Sequence, residues 1–61
     1  MNYKFEESIQ KIKNLMKENG GYVTSKMVKE QKIHLMYLKK MLDEKMIERI
    51  SRGIYIDVNA I

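Results

Sequence analysis

The side chains of this sequence that can do chemistry are mainly lysines, arginines and hydroxyl groups; there is no cysteine, and His34 is the single histidine. A metal site needs several ligands, and His34 has no second ligand at metal-binding spacing. Carboxylates occur as sequence neighbours, Glu6-Glu7 and Asp43-Glu44, and adjacent residues of a helix do not face each other as an acid–base pair would. Gly20-Gly21 is not followed by the Gly-Lys-Ser/Thr of a phosphate-binding loop. We therefore predict that the protein is not an enzyme, binds no metal and uses no cofactor.

Positive charge is concentrated after residue 24. The 61 residues carry a net charge of +4, with 12 Lys and Arg against 8 Asp and Glu. Residues 24–45 hold six Lys against two Glu and one Asp, and Arg49 and Arg52 follow. A local excess of cations favours polyanions such as nucleic acid as partners. Similar totals occur in many proteins that bind no nucleic acid, so charge by itself does not assign the function.

The first element that apolar spacing predicts is a helix near the N-terminus. Its apolar residues recur every three or four positions and are Phe5, Ile9, Ile12 and Met16. This is the period of a helix with one buried stripe. Asn19-Gly20 ends the helix, because glycine accepts the left-handed conformation that is common just past a helix end.

Two further helices are predicted to follow. Residues 25–31 form a short second helix, capped by the hydroxyl of Thr24 or Ser25, and a tight turn at 31–33 leads to a third helix over residues 34–45. At about 100° per residue, one face of the third helix carries Leu35, Leu38, Leu42 and Met46. The other face carries Met36, Tyr37, Lys40 and Glu44, with Met41 on the border. We expect the first set to be buried and the second to be exposed.

Beyond Lys45 the apolar period changes to the alternation of strands. Residues 47–50 and 54–58 are predicted to form a hairpin around the loop 51–53, and Tyr22-Val23 can pair with it as a third strand. This order predicts one domain over residues 1–61, mainly α with a small β-hairpin (α+β). It is the order of a winged helix-turn-helix, with three helices and a two- to three-stranded wing. A core this small is marginal, so a homodimer and a place as the N-terminal module of a longer protein both stay open.

Several segments of the chain resemble a known family. They are Gly20–Lys26, the pairs Tyr37-Leu38 and Met41-Leu42, and Ile47–Tyr55, in which a hydrophobic-Glu-Arg-hydrophobic strand leads into Arg-Gly-Ile-Tyr. Together, over roughly residues 5–58, they resemble the N-terminal winged-helix domain of AbiEi-type antitoxins, the repressor half of abortive-infection type IV toxin–antitoxin systems. The resemblance implies binding to double-stranded operator DNA upstream of the protein's own operon. It does not carry over toxin neutralisation, which the family performs with a larger C-terminal domain that these residues do not include.

Two residues depart from the pattern of that family. His34 stands where such domains usually begin the recognition helix with a small capping residue. Lys45 stands where a glycine often ends it.

The helix-turn-helix arrangement predicts that the third helix enters the major groove, with its N-terminal residues closest to the bases. There Lys40 could reach guanine or a phosphate, Tyr37 could donate its hydroxyl to a phosphate, and Met36 could touch a thymine methyl group. Arg52, in the wing at 51–53, is expected at the adjacent backbone or in the minor groove. His34 and the start of the second helix are expected near phosphates. The predicted DNA-binding residues are Ser25, Lys26, His34, Met36, Tyr37, Lys40 and Arg52.

A second class of function also stays open at this point. Winged helices can bind proteins, and an exposed Met36, Tyr37 and Met41 surface would suit such a module. The amphipathic first helix could lie on a membrane surface, but its apolar stripe is needed for the core. No apolar run approaches the roughly 20 residues of a membrane span, and the acidic N-terminal segment lacks the features of a signal peptide. The sequence therefore predicts a cytoplasmic protein without a membrane or a small-molecule substrate as partner.

Overall fold

The computed structural model describes the backbone of residues 3–60 and the side chains of residues 5–60. Its elements, in chain order, are α1 (Tyr3–Glu18), β1 (Tyr22–Thr24), α2 (Ser25–Glu30), α3 (Met36–Asp43), β2 (Ile47–Ser51), β3 (Ile54–Asp57) and a 3-10 turn (Val58–Ala60). The three strands form one antiparallel sheet. This architecture confirms the predicted α+β winged-helix fold, including the third strand contributed by residues 22–24.

The core lies between α1, α3 and the inner face of the sheet. From α1 it takes Ile9, Ile12 and Met16, which confirms the predicted stripe. The other buried members are Val23, Val28, Ile33, Leu38, Met41 and Ile47. Among the described residues no polar or charged side chain is buried. Removal of apolar surface from water is therefore the main stabilising contribution of this core.

The sheet has the order β1-β3-β2, with β3 in the centre. Val23 of β1 is fully buried and pairs with Tyr55 of β3, so both side chains lie on the inner face, where Tyr55 packs against the core. On the other side of β3, Arg49 of β2 pairs with the same tyrosine. The register shifts between Arg49 and Ser51, which leaves Ile50 in a β-bulge and 59% exposed.

β3 ends one residue earlier than predicted. Val58 begins the 3-10 turn, in which the Asp57 carboxylate accepts a hydrogen bond from the Asn59 amide at 2.8 Å. The Val58 amide donates to the carbonyl oxygen of Met46 at 3.2 Å instead of to a neighbouring strand. An aspartate side chain that binds the backbone two residues ahead favours a turn over continued pairing.

All three helices end with a residue in the left-handed conformation just past the last turn. These residues are Gly20, Lys32 and Lys45, with φ of 74°, 59° and 59°. In each case the amide of the next residue returns to a carbonyl five positions back, at 2.7 Å (Gly21 to Met16), 3.1 Å (Ile33 to Val28) and 2.9 Å (Met46 to Met41). This hydrogen bond is the mark of the Schellman C-cap. Glycine suits the left-handed position, whereas a lysine there has an unfavourable contact of its Cβ with the backbone. Lys45, which stands where the family often has glycine, is therefore in the left-handed conformation that glycine favours.

Lys45→Gly is expected to stabilise the protein by about 1 kcal/mol, because it removes the Cβ contact while the freer unfolded chain offsets part of the gain. Thermal unfolding followed by circular dichroism should show a midpoint raised by about 4–8 °C. Lys17→Gly, within α1, is the control and should lower the midpoint, since its backbone is right-handed helical. A lowered midpoint for Lys45→Gly would contradict the left-handed cap.

α3 is shorter than the predicted 34–45, and its buried face is rotated from the predicted one. Leu38 and Met41 are its buried residues, and Met41 is 0% exposed. The prediction of Met41 on the border was therefore wrong, and Tyr37, expected to be exposed, is half-buried. The error arose because two of the four residues used to orient the helix, Leu35 and Met46, lie at or beyond its ends.

Candidate nucleic-acid interface

The outer face of α3 carries two lysines and an exposed methionine. Met36 begins the helix and is 49% exposed, and Lys39 and Lys40 follow on the same side of the helix away from the core. Asp43, also exposed, stands at the C-terminal end. The first half of this face is therefore cationic and partly apolar, and acidic side chains are confined to the end of the helix. That distribution suits an N-terminal approach of the helix to DNA bases.

His34 lies two residues before α3 and closes its N-terminus. The imidazole Nδ1 accepts a hydrogen bond from the Met36 amide at 3.1 Å. The N-cap position itself is Leu35, which forms no side-chain capping hydrogen bond, so the imidazole of His34 binds the first amide of the helix from one residue further back. Because Nδ1 is the acceptor, Nε2 carries the proton of the neutral ring and is left as a donor.

Tyr37 faces α1 instead of pointing directly outward. Its ring centroid lies 6.1 Å from that of Phe5, with the two planes inclined at 43°. Aromatic pairs at this separation contribute to packing. Tyr37 therefore packs against α1 with one part of its ring. The exposed part of the side chain can meet a ligand only on the α1 side of α3.

A groove runs between α3 and the β2–β3 hairpin, and we call it the wing groove. Three cations border it: Lys39 from α3, Arg49 from β2 and Arg52 from the hairpin turn. Its floor is formed by apolar side chains of α3 and by Tyr55. All three cations are exposed, and within residues 5–60 none of them forms an ion pair. The groove therefore has a positive rim whose charge is not neutralised by neighbouring carboxylates.

The hairpin turn is joined to the beginning of α2. The Ser25 amide donates to the Gly53 carbonyl at 2.9 Å, and the Ser25 hydroxyl lies 3.4 Å from the same oxygen. Gly53 has a φ of 74°, and a Cβ placed on it would lie 2.9 Å from the Ser25 hydroxyl oxygen. The turn therefore depends on glycine both for its conformation and for its close approach to α2.

The start of α2 has fewer groups free to bind a phosphate than the sequence suggested. Thr24 is the cap, since its hydroxyl oxygen accepts the Met27 amide at 3.1 Å, and the Ser25 amide is bound to Gly53. The exposed Lys26 side chain remains available there. Ser25 itself borders the wing groove through its side chain.

The structure brings six of the seven predicted residues into three groups around α3. Ser25 and Arg52 border the wing groove, Met36 and Lys40 lie on the outer face of α3, and His34 and Tyr37 lie on the side toward α1. Lys26 stands apart on α2.

Sequence reasoning missed Lys39 and Arg49. Arg49 stands two residues after the buried Ile47, so the alternation of a strand places both side chains on the same face of β2. That signal was present in the sequence. Lys39 was missed because the misplaced ends of α3 rotated the predicted outer face away from it.

Two kinds of feature, a metal-binding cluster and a membrane-spanning helix, are not found in the described part of the chain. Residues 3–60 contain no group of three or more His, Cys, Asp or Glu side chains arranged to hold a metal ion. None of the helices described is both long and apolar enough to cross a membrane.

Comparison with known proteins identifies the domain. A family described as "Transcriptional regulator, AbiEi antitoxin" matches residues 10–56, which include all of α2, α3 and β2 and most of α1 and β3. No curated protein matches the chain. The matched segment contains the helix-turn-helix, the wing groove and the Arg-Gly-Ile-Tyr segment of the hairpin, and it spans more than half of the chain. The chain therefore belongs to the AbiEi-antitoxin family of transcriptional regulators.

Proposed function

We propose that this domain binds double-stranded DNA in a sequence-specific manner, with α3 in the major groove and the hairpin wing on the adjacent backbone or minor groove. The observation that carries the proposal is the uncompensated positive rim of the wing groove, directly beside the exposed face of α3. Phosphate contacts by Lys and Arg supply most of the affinity of such complexes, and base contacts supply their specificity.

Within this arrangement the residues of α3 have different roles. Lys40 projects from the outer face and reaches a guanine edge or a phosphate, while Met36 offers an apolar contact to a thymine methyl group. Lys39 and Arg49 face the wing side and hold the phosphates that border the major groove. Arg52, at the hairpin turn, reaches the neighbouring backbone or a narrow minor groove.

The operator we propose is the DNA upstream of the protein's own coding sequence, so that the domain acts as an autorepressor. Membership of an antitoxin family of transcriptional regulators supports a regulatory target. A two-fold symmetric operator would be occupied by two copies of the domain, one on each half-site.

The test is fluorescence anisotropy with the native upstream duplex and with a scrambled duplex of the same composition, at low and moderate salt. We expect the native site to bind more tightly and the affinity to fall steeply as salt is added. Lys40→Ala and Arg52→Ala should each weaken binding about tenfold, in line with roughly 1–3 kcal/mol for a base-reading arginine or lysine. Arg52→Ala should also reduce the slope of log affinity against log salt concentration by about one, which is the contribution of one phosphate contact.

Lys17→Ala is the control variant, since Lys17 is exposed near the end of α1 and outside the wing groove. All three variants should unfold within a few degrees of the parent protein. Wild-type affinity in both Lys40→Ala and Arg52→Ala would contradict the proposed docking.

The structure weakens the rival function of a protein-interaction module. Its proposed surface needed Met36, Tyr37 and Met41 to be exposed together, but Met41 is fully buried and Tyr37 packs beside Phe5. Met36 alone remains exposed. A single exposed methionine next to Lys39 and Lys40 is not the continuous apolar patch that marks a protein-binding surface.

A further inference from the structure

A second basic depression lies on the opposite side of α3 from the wing groove, between α1 and the turn that joins α2 to α3. We call it the turn cleft. The residues that matter for its chemistry are Glu7, Ser8, Lys11, Lys32, His34 and Tyr37. The two lysines of the cleft, Lys11 and Lys32, belong to neither the predicted nor the proposed set of DNA contacts.

The turn cleft presents hydrogen-bond donors from three separate elements. Ser8 and Lys11 come from α1, Lys32 and His34 from the turn, and Tyr37 from α3. The Nδ1 atom of His34 is engaged by the Met36 amide, so Nε2 is the donor of its neutral ring. Glu7 is the one acidic side chain at its border, and within residues 5–60 it forms no ion pair with Lys11 or Lys32. Ammonium, imidazole and hydroxyl groups are donors that suit the oxygens of a phosphodiester.

Lys32 lines this cleft, and its backbone has an unfavourable conformation. Its φ is 59°, the left-handed position at which glycine ends α1. Stability alone would favour glycine at residue 32. The same conformation occurs at Lys45, which lies outside the cleft, so the two lysines differ in their position and not in their backbone strain.

The position of the cleft complements the wing groove. Tyr37 lies on the side of α3 that faces α1, whereas Lys39 lies on the side that faces the wing. A helix in the major groove has one phosphate backbone on each side of it. We propose that the turn cleft binds the phosphate backbone of the strand across the major groove from the wing, with Lys32 and Lys11 as its main contacts. This inference rests on the proposed DNA-binding function.

The structure offers a matched pair of variants to test the inference. Lys32→Gly and Lys45→Gly remove the same charge and relieve the same left-handed conformation, but Lys45 lies at the far end of α3 and outside the turn cleft. Both variants should therefore unfold at a higher temperature than the parent. In anisotropy titrations with the native upstream duplex, Lys32→Gly should bind about five- to tenfold more weakly than wild type. The slope of its log affinity against log salt concentration should be smaller by about one, the contribution of one phosphate contact. Lys45→Gly should stay within about twofold of wild type.

A second arm uses the acidic border of the cleft. Glu7→Gln removes a like charge from the path of a phosphate, so it should tighten binding about two- to threefold. Equal effects of Lys32→Gly and Lys45→Gly on affinity, or no effect of either, would overturn the inference while leaving wild-type DNA binding in place. Absence of salt-dependent binding by the wild-type protein would instead refute the proposed function, and the turn-cleft contact with it.

Discussion

Met41→Ala is expected to remove a large share of the stability of the fold. Met41 is fully buried where α3 meets α1, and truncation of a buried methionine to alanine costs about 2–5 kcal/mol. A domain of this length has roughly 3–9 kcal/mol of total stability at 0.05–0.15 kcal/mol per residue. No disulfide compensates for a loss in the core, since the sequence has no cysteine. Urea denaturation followed by circular dichroism should show a midpoint shifted strongly toward zero denaturant.

Met36→Ala is the matched control, because it makes the same chemical change on the same helix at a position that is 49% exposed. Its stability should stay within about 0.5 kcal/mol of the parent. Similar losses in the two variants would contradict the orientation of α3 described above. A small loss in Met41→Ala alone would mean that the space between α1 and α3 collapses around the shorter side chain.

Reversing both arginines of the wing groove should remove DNA binding. In Arg49→Glu combined with Arg52→Glu, two phosphate contacts are replaced by repulsion, and a hydrogen bond to a charged group contributes about 1.5–3 kcal/mol. We expect at least about a hundredfold loss of affinity for the native upstream duplex at moderate salt. Both side chains are exposed and unpaired within residues 5–60, so the fold should be retained.

The control for this double variant has the same net charge as the double variant itself. Lys13→Glu combined with Lys17→Glu changes the net charge equally, but both residues are exposed on α1 and lie outside the wing groove. This control should retain most of the affinity. An equal loss in the two double variants would show that overall charge, and not the wing groove, governs binding.

The parts of the fold that were predicted from the sequence are those in which local pattern and tertiary packing agree. α1 has its four-residue apolar stripe and a glycine at its end, and Ile9, Ile12 and Met16 are buried as that pattern predicts. The hairpin was predicted in the same way, from alternation on both sides of a glycine-containing turn. In both places residues with strong conformational preferences marked the element, although β2 ends one residue later and β3 one residue earlier than predicted.

The orientation of α3 could not be predicted as well, because neither of its ends has a conventional signal. Its N-terminus is closed by the histidine side chain of His34, and its C-terminus by a lysine in the left-handed conformation. With both ends misplaced, the predicted buried face was centred on Leu35, Leu38, Leu42 and Met46, whereas the buried residues are Leu38 and Met41. The candidate site was affected in turn, since Lys39 was hidden by the same shift and Tyr37 was assigned too fully to the solvent side.

The bulge at Ile50 restricts how two copies of this domain can associate. A sheet with open edges can extend itself by pairing with an edge strand of another molecule. Here β1, one edge, is three residues long, and β2, the other edge, is interrupted between Arg49 and Ser51. Neither edge offers a long regular row of backbone donors and acceptors, and a bulge twists a strand away from a flat partner. Extension of the sheet from one copy into the next, by pairing of edge strands, is therefore not expected for two copies on a symmetric operator.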